Sequence, residues 1–240
     1  MNSIPRCEHP RPDRQRAEWL NLNGEWDFEI DNAIVGEAKK FYERESLDGK
    51  ITVPFCPESR LSGVGHTDFM NMVWYRRNID IPTEWCGKRV LLHIDACDYD
   101  TTVYVNARKI GTHKGGYTSF AFDITDALKS EGNYITISAR DDTRSGWQVS
   151  GKQSTKFDSY GCYYTRTTGI WQTVWLEAVN AAHVSAYKTY PNVSDGSVSI
   201  DVLTECAEGA TLTVKAFFEG KAMGEASATV NSTSTTVYIP

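Results

Sequence analysis

The 240-residue chain contains no apolar run approaching the ~18 residues that a bilayer-spanning helix needs. Its opening, Met1-Asn-Ser-Ile-Pro-Arg, lacks the basic-then-apolar layout of a signal peptide. Both absences lead us to expect a soluble, cytoplasmic protein with no membrane partner. Basic charge is also short: 25 Lys and Arg against 31 Asp and Glu leave a formal net charge of −6. Nucleic-acid binders carry a basic stripe that neutralises phosphates, so no nucleic-acid partner is expected. Cysteine is thinly spread, and Cys7, Cys56, Cys86, Cys97, Cys162 and Cys206 form no C-x-x-C pair and have no histidine at zinc-ligand spacing. No metal site and no cofactor are predicted, and the thiols read as small buried hydrophobes of a reducing compartment. There is no G-x-S-x-G, H-E-x-x-H, P-loop or dinucleotide fingerprint, so no residue is assigned as catalytic.

Aromatic residues are plentiful. Seven Trp, twelve Tyr and nine Phe suit broad pleated surfaces and also sugar-contacting faces. Short candidate strands recur after an Asn23-Gly24 turn signal: one starting near Gly24, then Ile51–Phe55, Val73–Ile81, Arg89–Asp95, Thr101–Val105, Phe120–Ile124, Tyr134–Ala139 and Gln172–Glu177. In Val73–Ile81, Val73, Tyr75, Ile79 and Ile81 share one parity while Trp74, Arg76, Asn78 and Asp80 share the other, which predicts a half-buried strand ending by Pro82. One helical turn is expected at Asp123–Leu128, capped by Thr125 or Asp126. The pattern is all-β, and it predicts two antiparallel sheets packed as a sandwich or jelly roll. The connection Arg140–Thr165 is longer than the ~12–15 residues usual for a structureless loop and becomes a candidate ligand rim.

The texture changes after Glu177. Aromatics thin out, and His183–Pro240 alternates small apolar residues with Ser and Thr in five candidate strands near 186–190, 198–203, 211–217, 226–230 and 235–239. Two domains are therefore expected, 1–181 and 182–240. The second is short against the ~100 residues of an immunoglobulin-like sandwich and reads as cut off.

Glycoside hydrolysis needs two carboxyls flanking one bond. The adjacent pair Asp141 and Asp142 cannot supply them from a strand, where neighbours point to opposite faces, and they read as strand-end polar residues. Three stretches carry groups suited to a sugar, whose ring has apolar C–H faces and hydroxyls that need fixed polar partners. Gly63-Val-Gly-His-Thr-Asp-Phe-Met-Asn71 offers His66, Asp68 and Asn71 beside Phe69, although, taken alone, an ordinary connection with turn-capping Asp and Asn accounts for it better. Trp147, in the long connection, is a candidate platform or a pin holding that connection to the sheet. Tyr160-Gly-Cys-Tyr-Tyr-Thr-Arg166 gathers aromatics before Arg166, which reads either as a ligand contact or as an inter-strand anchor. Gly115-Gly116, before Tyr117, reads as a turn needing conformations that glycine adopts easily.

Tyr164-Thr-Arg-Thr-Thr-Gly-Ile-Trp-Gln-Thr-Val-Trp-Leu-Glu177 resembles the segment closing the N-terminal sugar-binding domain of family 2 glycoside hydrolases, the β-galactosidase and β-glucuronidase family. Leu22-Asn-Gly-Glu-Trp-Asp-Phe28, Val53-Pro54, Val73-Trp-Tyr-Arg-Arg77, Val103-Tyr-Val-Asn106, Gly115-Gly116-Tyr117 and Phe122-Asp-Ile-Thr125 stand in the family's order. The resemblance covers about 16–180, and the remainder is similar to the start of the family's immunoglobulin-like second domain. It implies a jelly-roll accessory to a (β/α)8 barrel that carries both catalytic Glu residues of a retaining mechanism. It also implies a β-linked sugar as substrate and carbohydrate metabolism as setting. The chain alone is then expected to be inactive, and self-association stays open. By the same resemblance His66, Asp68, Asn71, Tyr163 and Arg166 are candidate substrate-facing residues, with Tyr163 standing where family members often hold a carboxylate, and Trp147 joins them from its place in the long connection. A β-galactosidase-like parent is expected, with β-glucuronidase and β-mannosidase as siblings. The other readings are a free-standing carbohydrate-binding module and a purely structural domain.

Overall fold

The structure is a computed structural model that describes residues 4–240, so the first three residues of the opening segment lie outside the described residues. The chain divides into two compact units, Met1–Ala178 and Val179–Pro240. Both are built from β-strands.

In the first unit, β1 (Trp19–Asn21), β2 (Gly24–Ile30), β3 (Gly49–Val53), β4 (Met72–Ile79), β5 (Arg89–Ile94), β6 (Cys97–Asp98), β7 (Asp100–Val105), β8 (Arg108–Lys114), β9 (Phe120–Asp123), β10 (Asn133–Arg140), β11 (Gly169–Ile170) and β12 (Val174–Val179) follow in order. They form a six-stranded sheet, β3-β2-β4-β10-β7-β8, a four-stranded sheet, β1-β12-β5-β9, and a short pair, β11-β6. Alternation dictates which side chains fill the space between the sheets. β10 sends Ile135, Ile137 and Ala139 inward, β7 sends Val103 and Val105, β5 sends Val90, Leu92 and Ile94, and β12 sends Val174, Leu176 and Ala178. Trp26, Phe28 and Tyr75 join them in one apolar core.

Several expectations are refined. Val73 and Tyr75 face the core as their parity predicts, yet Trp74 and Arg76 on the opposite face are buried too. The segment 31–48 lies over that outer face: Phe41 and Leu47 pack on Trp74 and Tyr104, and Tyr42 stacks on Tyr104 at 4.5 Å. The second face of β12 is covered similarly by the arm that precedes β1, where His9 meets Trp175 at 5.3 Å and Arg16 pairs with buried Glu177 at 2.8 Å. Asn23-Gly24 makes a corner between sheets instead of a hairpin, because β1 pairs with β12 while β2 pairs with β3. Asn23 fastens that corner, its Oδ1 accepting from the Val174 N–H at 3.2 Å. The expected helical turn is a 3-10 turn at Thr125–Ala127 whose N-cap residue, Ile124, makes no side-chain cap; neither Thr125 nor Asp126 caps it, and the preceding Asp123 accepts the Thr125 N–H through Oδ1 at 2.9 Å. Further 3-10 turns stand at Phe41–Glu43, Arg60–Ser62 and Thr83–Trp85.

The second unit contains β13 (His183–Asn192), β14 (Ser197–Glu205), β15 (Thr211–Phe218), β16 (Lys221–Thr229) and β17 (Ser234–Ile239), arranged as a three-stranded sheet, β13-β14-β17, and the β15-β16 hairpin. Ile200, Val202 and Ile239 are its buried core, with Leu212, Val214 and Ala226 packed against them. Among the described residues no helix is long and apolar enough to cross a membrane.

Candidate functional site

Arg166 is the first of the expected site residues to find a definite place. It is 3% exposed, and its guanidinium donates to the carbonyls of Thr67, Ser154, Lys156 and Phe157 while lying 4.2 Å above the Phe69 ring. Buried carbonyls must be paired, and a planar five-donor fork can serve several at once. Arg166 is thus the anchor of the two readings the sequence left open: it ties 63–71 to 154–157. Asn71 is also committed, its side-chain N–H donating to the Asn32 carbonyl at 2.9 Å. Arg166 and Asn71 share a crevice with Asp141 and Phe69, but its volume of about 10 Å³ holds at most one water.

The other expected residues do not converge on that crevice. His66 holds the loop through its backbone N–H, which donates to the Pro57 carbonyl at 2.9 Å. Asp68 accepts the Phe69 N–H at 2.7 Å, a local turn contact. Trp147 stands in solvent at 94% exposure and so does not pin the long connection to the sheet. Tyr163 is half-exposed and stacks on Tyr160 at 5.0 Å, within a tight turn where each backbone N–H donates to the other's carbonyl.

The more developed site centres on Asp98, a residue the sequence did not single out. Asp98 ends β6 and is 1% exposed. Its Oδ2 accepts from Gln153 Nε2 at 2.7 Å, while Gln153 Oε1 accepts the Thr167 N–H at 2.8 Å. Its Oδ1 is buried without a hydrogen-bond partner among the described residues. Asp98 lines an open cleft of about 240 Å³ together with Tyr117, Tyr164, Thr167 and Trp171. At ~30 Å³ per water that volume holds roughly eight waters, a space comparable with one small ring. Trp171 forms a wall, its indole N–H donating to the Gly116 carbonyl at 2.7 Å and its ring meeting Tyr117 edge-on at 6.0 Å. Tyr117 and Tyr164 bring their hydroxyls together near Gly151. The Gly115-Gly116 pair acquires a second reason here, since a Cβ on Gly116 would stand 2.5 Å from the Asp98 carboxyl carbon.

Two more carboxyls are buried nearby around Thr168. Glu58 accepts the Thr168 N–H at 3.0 and 3.2 Å. Asp141 accepts Thr168 Oγ1 at 3.0 Å and Gln148 Nε2 at 2.6 Å. Burial, followed by the neighbouring Asp141 charge, pushes the Asp98 carboxyl up to about 7. Burial likewise pushes Glu58 up to about 7 and raises Asp141. Asp98 lines the cleft and Asp141 the small crevice, so these two acids face different spaces instead of flanking one bond. What the cleft can do is bind: an orphaned acceptor, two phenols, a threonine and an indole face suit a hydroxylated ring.

Residues 64–179 match the family model described as "Glycosyl hydrolases family 2, sugar binding domain". The chain is 28% identical over 195 residues to a β-galactosidase of Thermoanaerobacter pseudethanolicus, covering 78% of this chain and 24% of that protein. It is 30% identical over 132 residues to a β-glucuronidase of Bacteroides fragilis, covering 52% of this chain and 17% of that protein. Among solved structures, the apo β-glucuronidase of Ruminococcus gnavus shares the fold at a TM-score of 0.71 and 18% identity, over 94% of this chain and 40% of that one. The chain thus spans about a quarter or less of the length of these curated relatives.

Proposed function

Because this chain belongs, through its sugar binding domain, to the family 2 glycosyl hydrolases, we propose that it serves a retaining β-glycosidase of β-galactosidase-like type as a non-catalytic N-terminal part. In this reading it supports a (β/α)8 barrel and offers the Asp98 cleft to a β-linked sugar. The observation that carries the proposal is the cleft itself, where the buried Oδ1 of Asp98 lacks a partner beside Tyr117, Tyr164 and Trp171. An unpaired buried acceptor is costly, about 1–3 kcal/mol, and a sugar hydroxyl reaching it recovers that cost. The relatives' greater length supports the remainder, since most of each β-glycosidase lies outside the matched region. The six thiols are free, which supports placing the protein in the reducing cytoplasm.

The tests are binding and turnover by the 240-residue chain. Methyl β-galactoside should shift the Trp171 indole resonance saturably, and Trp171→Ala should abolish saturation at the remaining cleft resonances. No hydrolysis of p-nitrophenyl β-galactoside is expected. Measurable turnover that survives purification would refute the accessory role.

A further inference from the structure

The relatives act under two kinds of name, galactosidase and glucuronidase, which differ in whether the sugar is neutral or carries a carboxylate. The charges around the cleft bear on that choice. Its lining supplies one carboxyl and no Lys, Arg or His. The second buried oxygen of Asp98 is held by Gln153, and Gly116 backs the carboxyl so closely that no β-carbon fits, which leaves Oδ1 little freedom to turn away. Behind Asp98 stand the buried carboxyls of Asp141 and Glu58, both close enough to act on its ionisation. Arg166, whose guanidinium bonds four carbonyls, lowers Asp141 in part, while the charges that act on Asp98 itself are the carboxylates of Asp141 and Glu58. Lys152, next to Gln153 in the chain, is exposed, and a solvated ammonium is screened over about a Debye length of ~8–10 Å.

We infer that this cleft accepts uncharged glycosyl rings and rejects those bearing a carboxylate, with Asp98 as the specificity-determining residue. The inference rests on the sugar-facing reading of the cleft proposed above. A neutral ring brings hydroxyl donors to Oδ1 and fills its vacant hydrogen bond. A uronate placed against the same atom brings a second anion into a poorly solvated space, where like charges cannot both remain ionised without a cation between them. Exclusion by repulsion is the stronger half of such selectivity, since a neutral ring gains one hydrogen bond while the uronate loses its hydration as well.

The experiment compares shape-matched ligands on the 240-residue chain at pH 8, where Asp98 is largely ionised. Methyl β-glucuronide, its uncharged uronamide and the parent methyl β-glucoside are titrated by 1H–15N NMR, followed at the Gln153 side chain and the Trp171 indole, and the galacto series is run in parallel. The uronamide and the parent glycoside should bind at least about tenfold more tightly than the uronate. Asp98→Asn should bring that ratio close to one. If the variant does not fold, the uronate-to-uronamide ratio in the unaltered chain decides alone. A uronate that binds as tightly as its uronamide overturns the inference and leaves the sugar cleft standing. No saturable shift from any of the six rings removes the sugar cleft itself, and this selectivity with it.

Discussion

Glu58→Gln should stabilise the first unit at pH 8 and flatten its pH dependence. Glu58 is 8% exposed, and both carboxylate oxygens accept the same Thr168 N–H. Its pKa moves from an ordinary 4.5 to about 7, with burial as the principal cause. A folded-state value above the unfolded one means that the native chain binds this proton more tightly. The contribution is therefore complete below about 4.5 and is lost as pH rises to about 7. A difference of roughly 2.5 units at 1.36 kcal/mol each corresponds to about 3 kcal/mol. Glutamine retains an acceptor for Thr168 and carries no charge, so at pH 8 the variant should recover a large part of that amount. Asp98 and Asp141 are raised in the same direction, so part of the slope should remain. Urea unfolding followed by tryptophan fluorescence at pH 5 and pH 8 is the assay. All seven tryptophans belong to the first unit, which makes the signal specific to it. A variant whose stability falls between those two pH values as steeply as that of the unaltered chain would refute the reasoning.

Gly116→Ala should destabilise by about 1–3 kcal/mol, the usual cost of overpacking, because its methyl group would stand 2.5 Å from the Asp98 carboxyl carbon. Differential scanning calorimetry checks this, and an unchanged melting temperature would show that Asp98 moves aside freely. Arg166→Ala should cost about 3 kcal/mol, by leaving the buried Ser154 carbonyl and three part-buried ones unpaired at once. Arg166→Lys should restore a minor part, since one ammonium cannot reach four carbonyls set around a planar fork. Full recovery in the lysine variant, measured by urea midpoint, would mean that charge alone matters there.

The regular strands were legible because period-two alternation survives in a sheet with one well-defined inner face: Arg89–Ile94 and Asn133–Arg140 are recovered almost to the residue. The two-residue pair β6-β11 was not, since two residues carry no period. Burial of Trp74 was hidden for a different reason, because the segment that covers it has no strand pattern and its docking is a tertiary event. The site shows the same division. Arg166 stood out in an aromatic cluster, but whether its donors met ligand or backbone depended on where the carbonyls of 67 and 154–157 fell. Asp98 looked like one of three aspartates in Asp95-Ala-Cys-Asp-Tyr-Asp100, and its importance emerges when Gln153, 55 residues away, closes on it. A carboxylate two positions from Ala96 and next to Cys97, both fully buried, was the available local signal.

The arm before β1 has a practical consequence for anyone who trims this protein. Glu177 is 2% exposed and relies on Arg16 for its nearest guanidinium, while His9 covers the indole of Trp175. Deleting the residues before Trp19 would uncover an oily, anionic patch in the middle of a sheet, and shortened versions should be sticky and sensitive to salt. Affinity tags are accordingly better carried at the other terminus.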